Sequence, residues 1–311
     1  MCLNCRLMKQ TKVSKFSAWL QAMRLRTLFL SMSCIWAGLF AVQIQQNLSI
    51  VISIFTFLTA LFLQILSNFA NDYGDTIHGA DHDERKGPKR SVQTGTISAK
   101  QMKKAMSFMA ILSFISGCIL LIASANVIGI KGVIILFIIG ILGIAAAIAY
   151  TNGKRPYGYM GLGDFAVFIF FGLIAVAGTQ FLQTAIITKT TWLLAIAFGC
   201  ISTGVLHLNN MRDIDSDKTA GKMSIAVRLG AFGSKIYYTI LLLASIACFT
   251  MFIIIENFGP FLAFSITLLI MLNLLVAWRV QKQEDFDPLL KYLSLSSFII
   301  ALNLQLFHSL I

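Results

Sequence analysis

The chain has 311 residues, of which 57% are hydrophobic and only 12% are charged, and its mean hydropathy is +0.80. Soluble domains carry about 25% charged residues, so this composition excludes an ordinary soluble protein and indicates an integral membrane protein. In a soluble chain the net charge of +12 would suggest nucleic acid as a partner. Here the basic residues follow the pattern of membrane topology, so we expect a lipid bilayer and no nucleic acid as partner.

Continuous apolar runs predict the membrane spans. A helix needs about 20 apolar residues to cross the hydrocarbon, whereas β-barrel strands alternate over shorter segments. The sequence therefore predicts an all-α integral membrane protein with about nine transmembrane helices in one bundle, around a cavity that opens near the cytoplasmic side. The predicted spans are 27–43, 48–70, 105–125, 129–150, 164–182, 191–210, 236–255, 259–279 and 289–310.

The basic residues predict the orientation of this bundle. All lysines and arginines except Lys131 and Lys189 fall on one side of the predicted spans. Because cytoplasmic segments concentrate Lys and Arg, we expect a multi-pass protein of the cell inner (plasma) membrane, with a cytoplasmic N-terminus and an external C-terminus.

The domain organisation follows from the same pattern. We predict a cytoplasmic segment 1–26 and a single transmembrane domain 27–311, with cytoplasmic loops at about 73–104 and 211–235. Apolar residues near the end of the first segment recur at helical spacing, which fits either an interfacial helix or a simple basic flank of the first span.

Two polar clusters interrupt the apolar sequence at the cytoplasmic ends of the second and sixth spans. They read NFANDYGDTIHGAD and NNMRDIDSD. If the helices continue through the clusters, their main polar residues share one helical face, which must point into the bundle because polar groups facing lipid are costly. The residues that share a face are Asn68, Asp72 and Asp75 in the first cluster, and Asn209, Asp213 and Asp217 in the second. Asn71 belongs to the first cluster as well, and Asn210, Arg212 and Asp215 accompany the second.

The convergence of these carboxylates indicates a divalent cation, because the acids would otherwise repel one another. An all-oxygen ligand set suits Mg²⁺, with Mn²⁺ as the other candidate, and Mg²⁺ commonly shares its shell with substrate phosphates. His78 and His82 could add a transition-metal site, but solvated loop histidines explain them better. The candidate metal ligands are Asp72, Asp75, Asp81, Asp213, Asp215 and Asp217.

A third polar stretch, YTNGKRPYGYMGLGD, follows the fourth span on the same side. Lys154 and Arg155 in this stretch could contact a phosphate. Tyr150 could instead be an interfacial aromatic residue, and Asp164 a helix N-cap. Other candidate cationic contacts lie before the first span and after the second and sixth spans. They are Arg24 or Arg26, then Arg85, Lys86, Lys89 and Arg90, and then Arg212, Lys218, Lys222 and Arg228.

These three clusters resemble the UbiA superfamily of intramembrane aromatic prenyltransferases over essentially the whole chain. The patterns that carry the resemblance are Asn71-Asp72-x-x-Asp75, Asp213-x-x-x-Asp217 and Tyr150-x-x-x-Lys154. Longer stretches, including GPKRSVQTG and NNMRDIDSDKTAGKMSIAVRLG, resemble the members of this superfamily that act on 1,4-dihydroxy-2-naphthoate in menaquinone synthesis. The stretch RLRTLF before the first span departs from the family by lacking its usual proline.

The resemblance implies transfer of a polyprenyl group from polyprenyl diphosphate to 1,4-dihydroxy-2-naphthoate, with loss of CO₂ and diphosphate. It implies that bound Mg²⁺ neutralises the leaving diphosphate. The implied catalytic residues are Asp72, Asp75, Asp213, Asp217 and Lys154. The implied substrate-binding residues are Asn68, Asn71, Asn209, Asn210, Arg212, Arg155, Lys222, Arg228, Arg26 and Tyr150. Candidates for a base or orienting group are Asp75, Asp81, Asp164 and His207.

Three alternatives remain open at this stage, as does the oligomeric state. A sister prenyltransferase using 4-hydroxybenzoate or homogentisate would share the diphosphate site. A cation-coupled transporter also places carboxylates in a helical bundle, but usually near the midplane between inverted repeats. A structural or quinone-binding subunit would leave the paired acidic clusters without a role.

Overall fold

In the computed structural model the described residues are 14–44, 48–79 and 87–309. Within them the secondary structure is helical, which confirms the all-α prediction. The α-helices are α1 Lys15–Met23, α2 Leu25–Gln43, α3 Ile50–Ile77, α4 Ala99–Ala149, α5 Gly163–Val167, α6 Gly178–Thr184, α7 Lys189–Arg212, α8 Ile214–Thr219, α9 Ile225–Ile255, α10 Pro260–Arg279 and α11 Phe286–Ser309.

Within the described ranges, eight helical stretches are long and apolar enough to cross a membrane. One of them, α4, supplies two of the nine predicted crossings. Its 51 residues are interrupted at Gly129, whose φ of 65° and ψ of 171° leave the helical region, as glycine does readily. The rings of Phe114 and Phe137 are 6.2 Å apart, whereas a straight helix would separate them by roughly 34 Å. The two limbs of α4 therefore run side by side as a helical hairpin.

Helices extend into both predicted cytoplasmic loops. The polar residues of the first cluster lie on the last turns of α3, which continues to Ile77. Helix α4 begins at Ala99, where Ser98 and Gln101 form a capping box that satisfies the first backbone N–H groups. The second predicted loop contains α8 and the start of α9. The non-helical parts of 73–104 and 211–235 are therefore shorter than the predicted loops, and the cytoplasmic placement of these segments stays a prediction.

The N-terminal part of the described chain contains a separate short helix, α1. Arg24 stands between α1 and α2 in the left-handed conformation, with φ of 51°, and so changes the direction of the chain. Of the two alternatives for the segment before the first span, the structure shows a helix, and its position at the membrane interface stays a prediction. Helix α2 starts two residues before the predicted span.

Helix α7 lies at the centre of the bundle and is packed through small residues. A Cβ atom added at Gly172 would lie 2.6 Å from the Ala195 carbonyl oxygen and 2.7 Å from the Cα atom of Gly199, so only glycine permits this approach of the two backbones. Gly172 belongs to a π-helical segment, Phe168–Ala177, that joins α5 to α6. Such segments often occur beside functional sites.

Candidate active site

A cavity of about 320 Å³ lies between α2, α3, α4 and the segment 163–184. One end is polar and the other is apolar, so the cavity suits an elongated amphiphilic ligand. The polar end is lined by Arg24, Arg26, Thr27, Gln64, Asn68, Asn71, Asp75, Arg90, Tyr150, Tyr157, Asn209 and Lys222. The apolar end includes Leu120, Leu136, Phe170, Ile174 and Leu182.

Asp75 organises the polar end from the last turn of α3. Its carboxylate lies 2.7 Å from Arg90 Nη2 and accepts a hydrogen bond of 2.9 Å from the Tyr159 hydroxyl. Arg90 also donates to the Asn71 carbonyl oxygen over 2.7 Å. Burial raises the pKa of Tyr159, and Asp75 raises it further, so Tyr159 remains a hydrogen-bond donor. Asp75 thereby holds the segment that carries Arg90 and the segment that carries Tyr159 against the end of α3.

Helical periodicity explains why the first cluster forms one surface. Asn68, Asp72 and Asp75 have exposed fractions of 3%, 2% and 2%, as expected for residues on one inward-facing stripe. Asp72 accepts a hydrogen bond from the Val92 backbone N–H over 3.4 Å. The shared face predicted from the sequence is therefore present.

The second cluster, at the end of α7 and in α8, pairs each buried acid with a cation. Arg212 donates to both carboxylate oxygens of Asp213, over 2.9 and 2.7 Å, and to Asn209 Oδ1 over 2.9 Å. Lys222 Nζ lies 3.3 Å from Asp217 Oδ1. Burial raises the pKa of Asp217 to about 6, although Lys222 opposes the shift. Burial lowers the pKa of Lys222, but the nearby acids Asp217 and Asp75 outweigh it and the net direction is upward.

Asp287, in the first turn of α11, joins the two arginines of the site. Arg26 Nη1 donates to both of its carboxylate oxygens over 3.0 Å, and Arg212 Nη1 donates to Asp287 Oδ1. The contact fixes the beginnings of α2 and α11 to the end of α7. Neither Asp287 nor Tyr159 is predicted by the motifs. An acid in the first turn of a helix is explained by the helix dipole alone, so the sequence carries no clear signal for this role.

Four predicted site residues are exposed and lie outside the cavity lining: Lys154, Arg155, Asp215 and Arg228. The loop that carries the first two is tied to α3, because His78 Nε2 lies 3.1 Å from the Gly153 carbonyl oxygen. Arg228 donates to the carbonyl oxygens of Met160 and Met223, over 3.0 and 3.1 Å, and so connects two loops. The predicted residues Asp81 and His82 lie outside the described residues.

The buried acid and histidine predicted as candidate bases pair with each other. Asp164 Oδ2 lies 3.3 Å from His207 Nδ1, and the other ring nitrogen of His207 lies 3.2 Å from the Ser234 carbonyl oxygen. The imidazole packs against Tyr237 with ring centroids 4.7 Å apart. Neither member of the pair lines the cavity, so the geometry favours a structural role for both.

The acids of the described residues form no group of three or more that could hold a metal ion by themselves. They nevertheless fit Mg²⁺ as part of a shared shell. Asn71 Oδ1, Asn210 Oδ1 and Asp217 Oδ2 are buried oxygens without a hydrogen-bond partner, and such atoms are costly unless a ligand satisfies them. Because Mg²⁺ keeps several waters and binds substrate phosphates, it does not need three protein carboxylates.

Comparison with known proteins identifies the family. The model of the UbiA prenyltransferase family matches residues 30–301. The chain belongs to the UbiA prenyltransferase family. This UbiA chain is 39% identical over 291 residues to a 1,4-dihydroxy-2-naphthoate octaprenyltransferase of Haemophilus influenzae, covering 92% of this chain and 94% of the relative. It is 39% identical to the protein of that name from Escherichia coli, covering 79% of each chain. The prediction of a membrane prenyltransferase is confirmed.

Solved structures of UbiA homologues share the fold. The apo structure of a homologue from Aeropyrum pernix K1 gives a TM-score of 0.66 at 18% identity, covering 91% of this chain and 97% of that one. A homologue from Archaeoglobus fulgidus, solved bound to GPP and Mg²⁺, gives 0.65 at 16% identity, covering 95% and 100%. The likeness extends over nearly the whole chain and shows that the fold is shared. The apolar helices and the family match make this chain a multi-pass membrane enzyme.

Proposed function

We propose that this enzyme transfers a polyprenyl group from polyprenyl diphosphate to 1,4-dihydroxy-2-naphthoate, releasing CO₂ and diphosphate and giving demethylmenaquinol. The observation that carries the proposal is the cavity, which joins a charged end to an apolar end within one continuous space. A polyprenyl diphosphate likewise has a charged end, the diphosphate, and an apolar end, the isoprenoid chain. The names of the bacterial relatives support the choice of naphthoate as acceptor.

The charged end would hold the diphosphate. Lys222 and Arg90 line the cavity and supply buried cations, which bind phosphate oxygens strongly where water is scarce. Lys154 and Arg155 would add outer contacts from the neighbouring loop. Mg²⁺ would be held by Asp72, Asp75, Asp213 and Asp217. Asp215 is a further candidate ligand, as is Asp81, which lies outside the described residues. When bound, Mg²⁺ or Mn²⁺ supplies Lewis-acid neutralisation of the leaving diphosphate.

The remaining polar residues would position both substrates. Asn71 and Asn210 present buried amide oxygens without partners, and Asn209 and Tyr150 line the cavity. Asn68 is bonded within the protein and holds the wall of the cavity. Arg26 and Arg212, joined through Asp287, would fix the positive charge at the same end.

The apolar end would house the isoprenoid chain and exclude water. The allylic C–O bond breaks with its electron pair leaving on diphosphate. The naphthoate ring then attacks the allylic carbon at the position that carries the carboxylate. The electron pair of the ring–carboxylate bond restores the aromatic ring as CO₂ departs. Phe170 and Phe171 line this region, where aromatic faces can stabilise a cation and dry walls prevent its capture by water.

The test is turnover by purified enzyme in lipid nanodiscs. The enzyme is incubated with Mg²⁺, a polyprenyl diphosphate and one aromatic acceptor, and both CO₂ and prenylated product are measured. We expect product with 1,4-dihydroxy-2-naphthoate and none with 4-hydroxybenzoate or homogentisate. Product from one of the other acceptors alone would overturn the naphthoate assignment, and failure with all three would overturn aromatic prenyl transfer.

We infer that the motif-bearing ends of the bundle face the cytoplasm of a bacterial inner membrane, with residues 27–311 as one transmembrane domain. The basic residues support this orientation. Reporters fused at the N-terminus and after Ile311 test it. A C-terminal reporter active only in the cytoplasm would contradict the external C-terminus.

A further inference from the structure

A hydrogen-bonded group of three side chains lies where the polar end of the cavity meets its apolar walls. Gln64 Nε2 donates to Thr27 Oγ1 over 3.2 Å and to Asn68 Oδ1 over 3.3 Å. All three residues line the cavity. Gln64 lies two turns before Asp72 on α3, which places it roughly 12 Å deeper along the helix axis.

The direction of these hydrogen bonds is fixed by two backbone carbonyl groups beside the break between α1 and α2. The Met23 carbonyl oxygen can only accept, so Asn68 turns its amide nitrogen towards it, at 2.8 Å. Asn68 Oδ1 then faces Gln64 and requires a donor there. The Arg24 carbonyl oxygen likewise accepts the Thr27 hydroxyl proton over 2.9 Å, which leaves Thr27 Oγ1 as an acceptor. Gln64 must therefore present its NH₂ group to both neighbours.

This arrangement leaves one polar atom of Gln64 for a bound molecule. Both N–H bonds of the side chain are used within the group. Oε1 has no hydrogen bond within the described part of the chain, and Gln64 faces the cavity. An amide oxygen accepts hydrogen bonds and cannot donate them. A ligand at this depth must therefore offer a donor to be bound well.

We propose that Gln64 Oε1 accepts a hydrogen bond from a ring hydroxyl of the aromatic acceptor, and that Gln64 is a specificity-determining residue for hydroxylated aromatic substrates. This inference rests on the proposed function. The position past the charged end and before the apolar walls is where the ring must meet the allylic carbon. A hydroxyl that donates to Oε1 also becomes more electron-rich, which favours attack by the ring.

The test compares naphthoates that differ in one hydroxyl. The ligands are 1,4-dihydroxy-2-naphthoate, 1-hydroxy-2-naphthoate and 4-hydroxy-2-naphthoate, with the last two measured as competitive inhibitors. On the wild-type enzyme we expect one monohydroxy compound to bind about ten-fold more weakly than the other. In Gln64→Met that difference should disappear, while the KM for polyprenyl diphosphate changes less than two-fold by the same reasoning.

The controls separate recognition from packing. Gln180→Leu removes a buried glutamine that bonds the Ala41 carbonyl oxygen and the Thr188 N–H away from the polar end, and it should leave the hydroxyl preference intact. Equal weakening of all three ligands in Gln64→Met, or an unchanged preference, would overturn the role of Gln64. Lack of naphthoate turnover by the wild type would overturn the acceptor assignment instead. The same comparison would then use whichever hydroxylated aromatic the wild type prenylates.

Discussion

Lys222 Nζ lies 3.3 Å from Asp217 Oδ1, and both side chains are almost fully buried. Burial raises the pKa of Asp217 to about 6, and Lys222 limits the rise. A raised pKa means that the folded, metal-free protein holds its proton more tightly than the unfolded chain does. Ionised Asp217 therefore destabilises the metal-free fold as pH rises from 3.8 through about 6. The cost is offset when a cation binds the ionised form.

The first prediction concerns Mg²⁺ binding and pH. Because a proton competes with the metal for Asp217, the apparent affinity for Mg²⁺ should fall as pH drops through about 6. In Lys222→Gln the pKa of Asp217 should rise further, so the loss of Mg²⁺ affinity at low pH should begin at a higher pH. Lys218→Gln removes an exposed charge from the neighbouring helix α8 and should leave the pH dependence unchanged. The apparent Mg²⁺ affinity is obtained from activity against Mg²⁺ concentration at several pH values. The same pH dependence in the wild type and both variants would contradict the prediction.

The second prediction separates buried from exposed acids. Asp75→Asn removes the negative charge that pairs with Arg90 and lines the cavity, so we expect Mg²⁺-dependent activity to fall by about a thousand-fold. Asp215→Asn changes an exposed acid in the same charged region and should change the rate less than about three-fold. Diphosphate release at saturating substrate measures both. Comparable rates in the two variants would rule out a special role for Asp75.

The third prediction compares two cations of the proposed diphosphate site. Arg90 is buried beside Asp75, whereas Lys154 is exposed. Loss of a buried charge-assisted contact costs more than loss of an exposed one. We expect Arg90→Gln to raise the KM for polyprenyl diphosphate by about a hundred-fold, and Lys154→Gln to raise it by about five-fold at most. A larger effect at Lys154 would show that its loop closes over the bound diphosphate.

The fourth prediction concerns Asp287. Asp287→Asn leaves Arg26 and Arg212 facing each other without the carboxylate between them. The side chains of Arg26 and Asp287 are 29% and 31% exposed, and Arg212 keeps its pairing with Asp213. We therefore expect a loss of about 1 kcal/mol in stability and weaker substrate binding. Asp285→Asn, two residues earlier and exposed, should match the wild type. Thermal unfolding in detergent measures the first effect and substrate KM the second.

The sequence predicts the inward face of α3 because the polar residues and their helical spacing lie within one short stretch of the chain. Asp72 and Asp75 fall on one helical stripe at the basic side of the bundle, and the structure buries both. Contacts between distant segments give no such local signal. Asp287 contacts Arg212 from 75 positions away in the sequence, and the helix dipole alone explains an acid in the first turn of a helix. Likewise, spacing draws attention to Lys154, although Lys222 is the lysine that lines the cavity.

The fifth prediction tests how the loop after α4 is held against α3. A Cβ atom added at Gly74 would lie 2.5 Å from both the carbonyl and hydroxyl oxygens of Thr151, whose hydroxyl donates to the Ala70 carbonyl oxygen over 2.8 Å. Gly74→Ala must push this loop away, which moves Tyr159 from Asp75. We expect a stability loss of about 1–3 kcal/mol and a large fall in activity.

Gly140→Ala is the matched control for the fifth prediction. Gly140 also lies inside a helix, but a Cβ atom there meets nothing within 4 Å, so alanine should be neutral or stabilise the helix by up to about 1 kcal/mol. Unfolding temperature and turnover are measured for both variants. If Gly74→Ala lost stability yet kept full activity, the Tyr159–Asp75 hydrogen bond would not be needed for turnover. If it lost activity at unchanged stability, the loop would have moved without unfolding, and the position of Tyr159 would be decisive for catalysis.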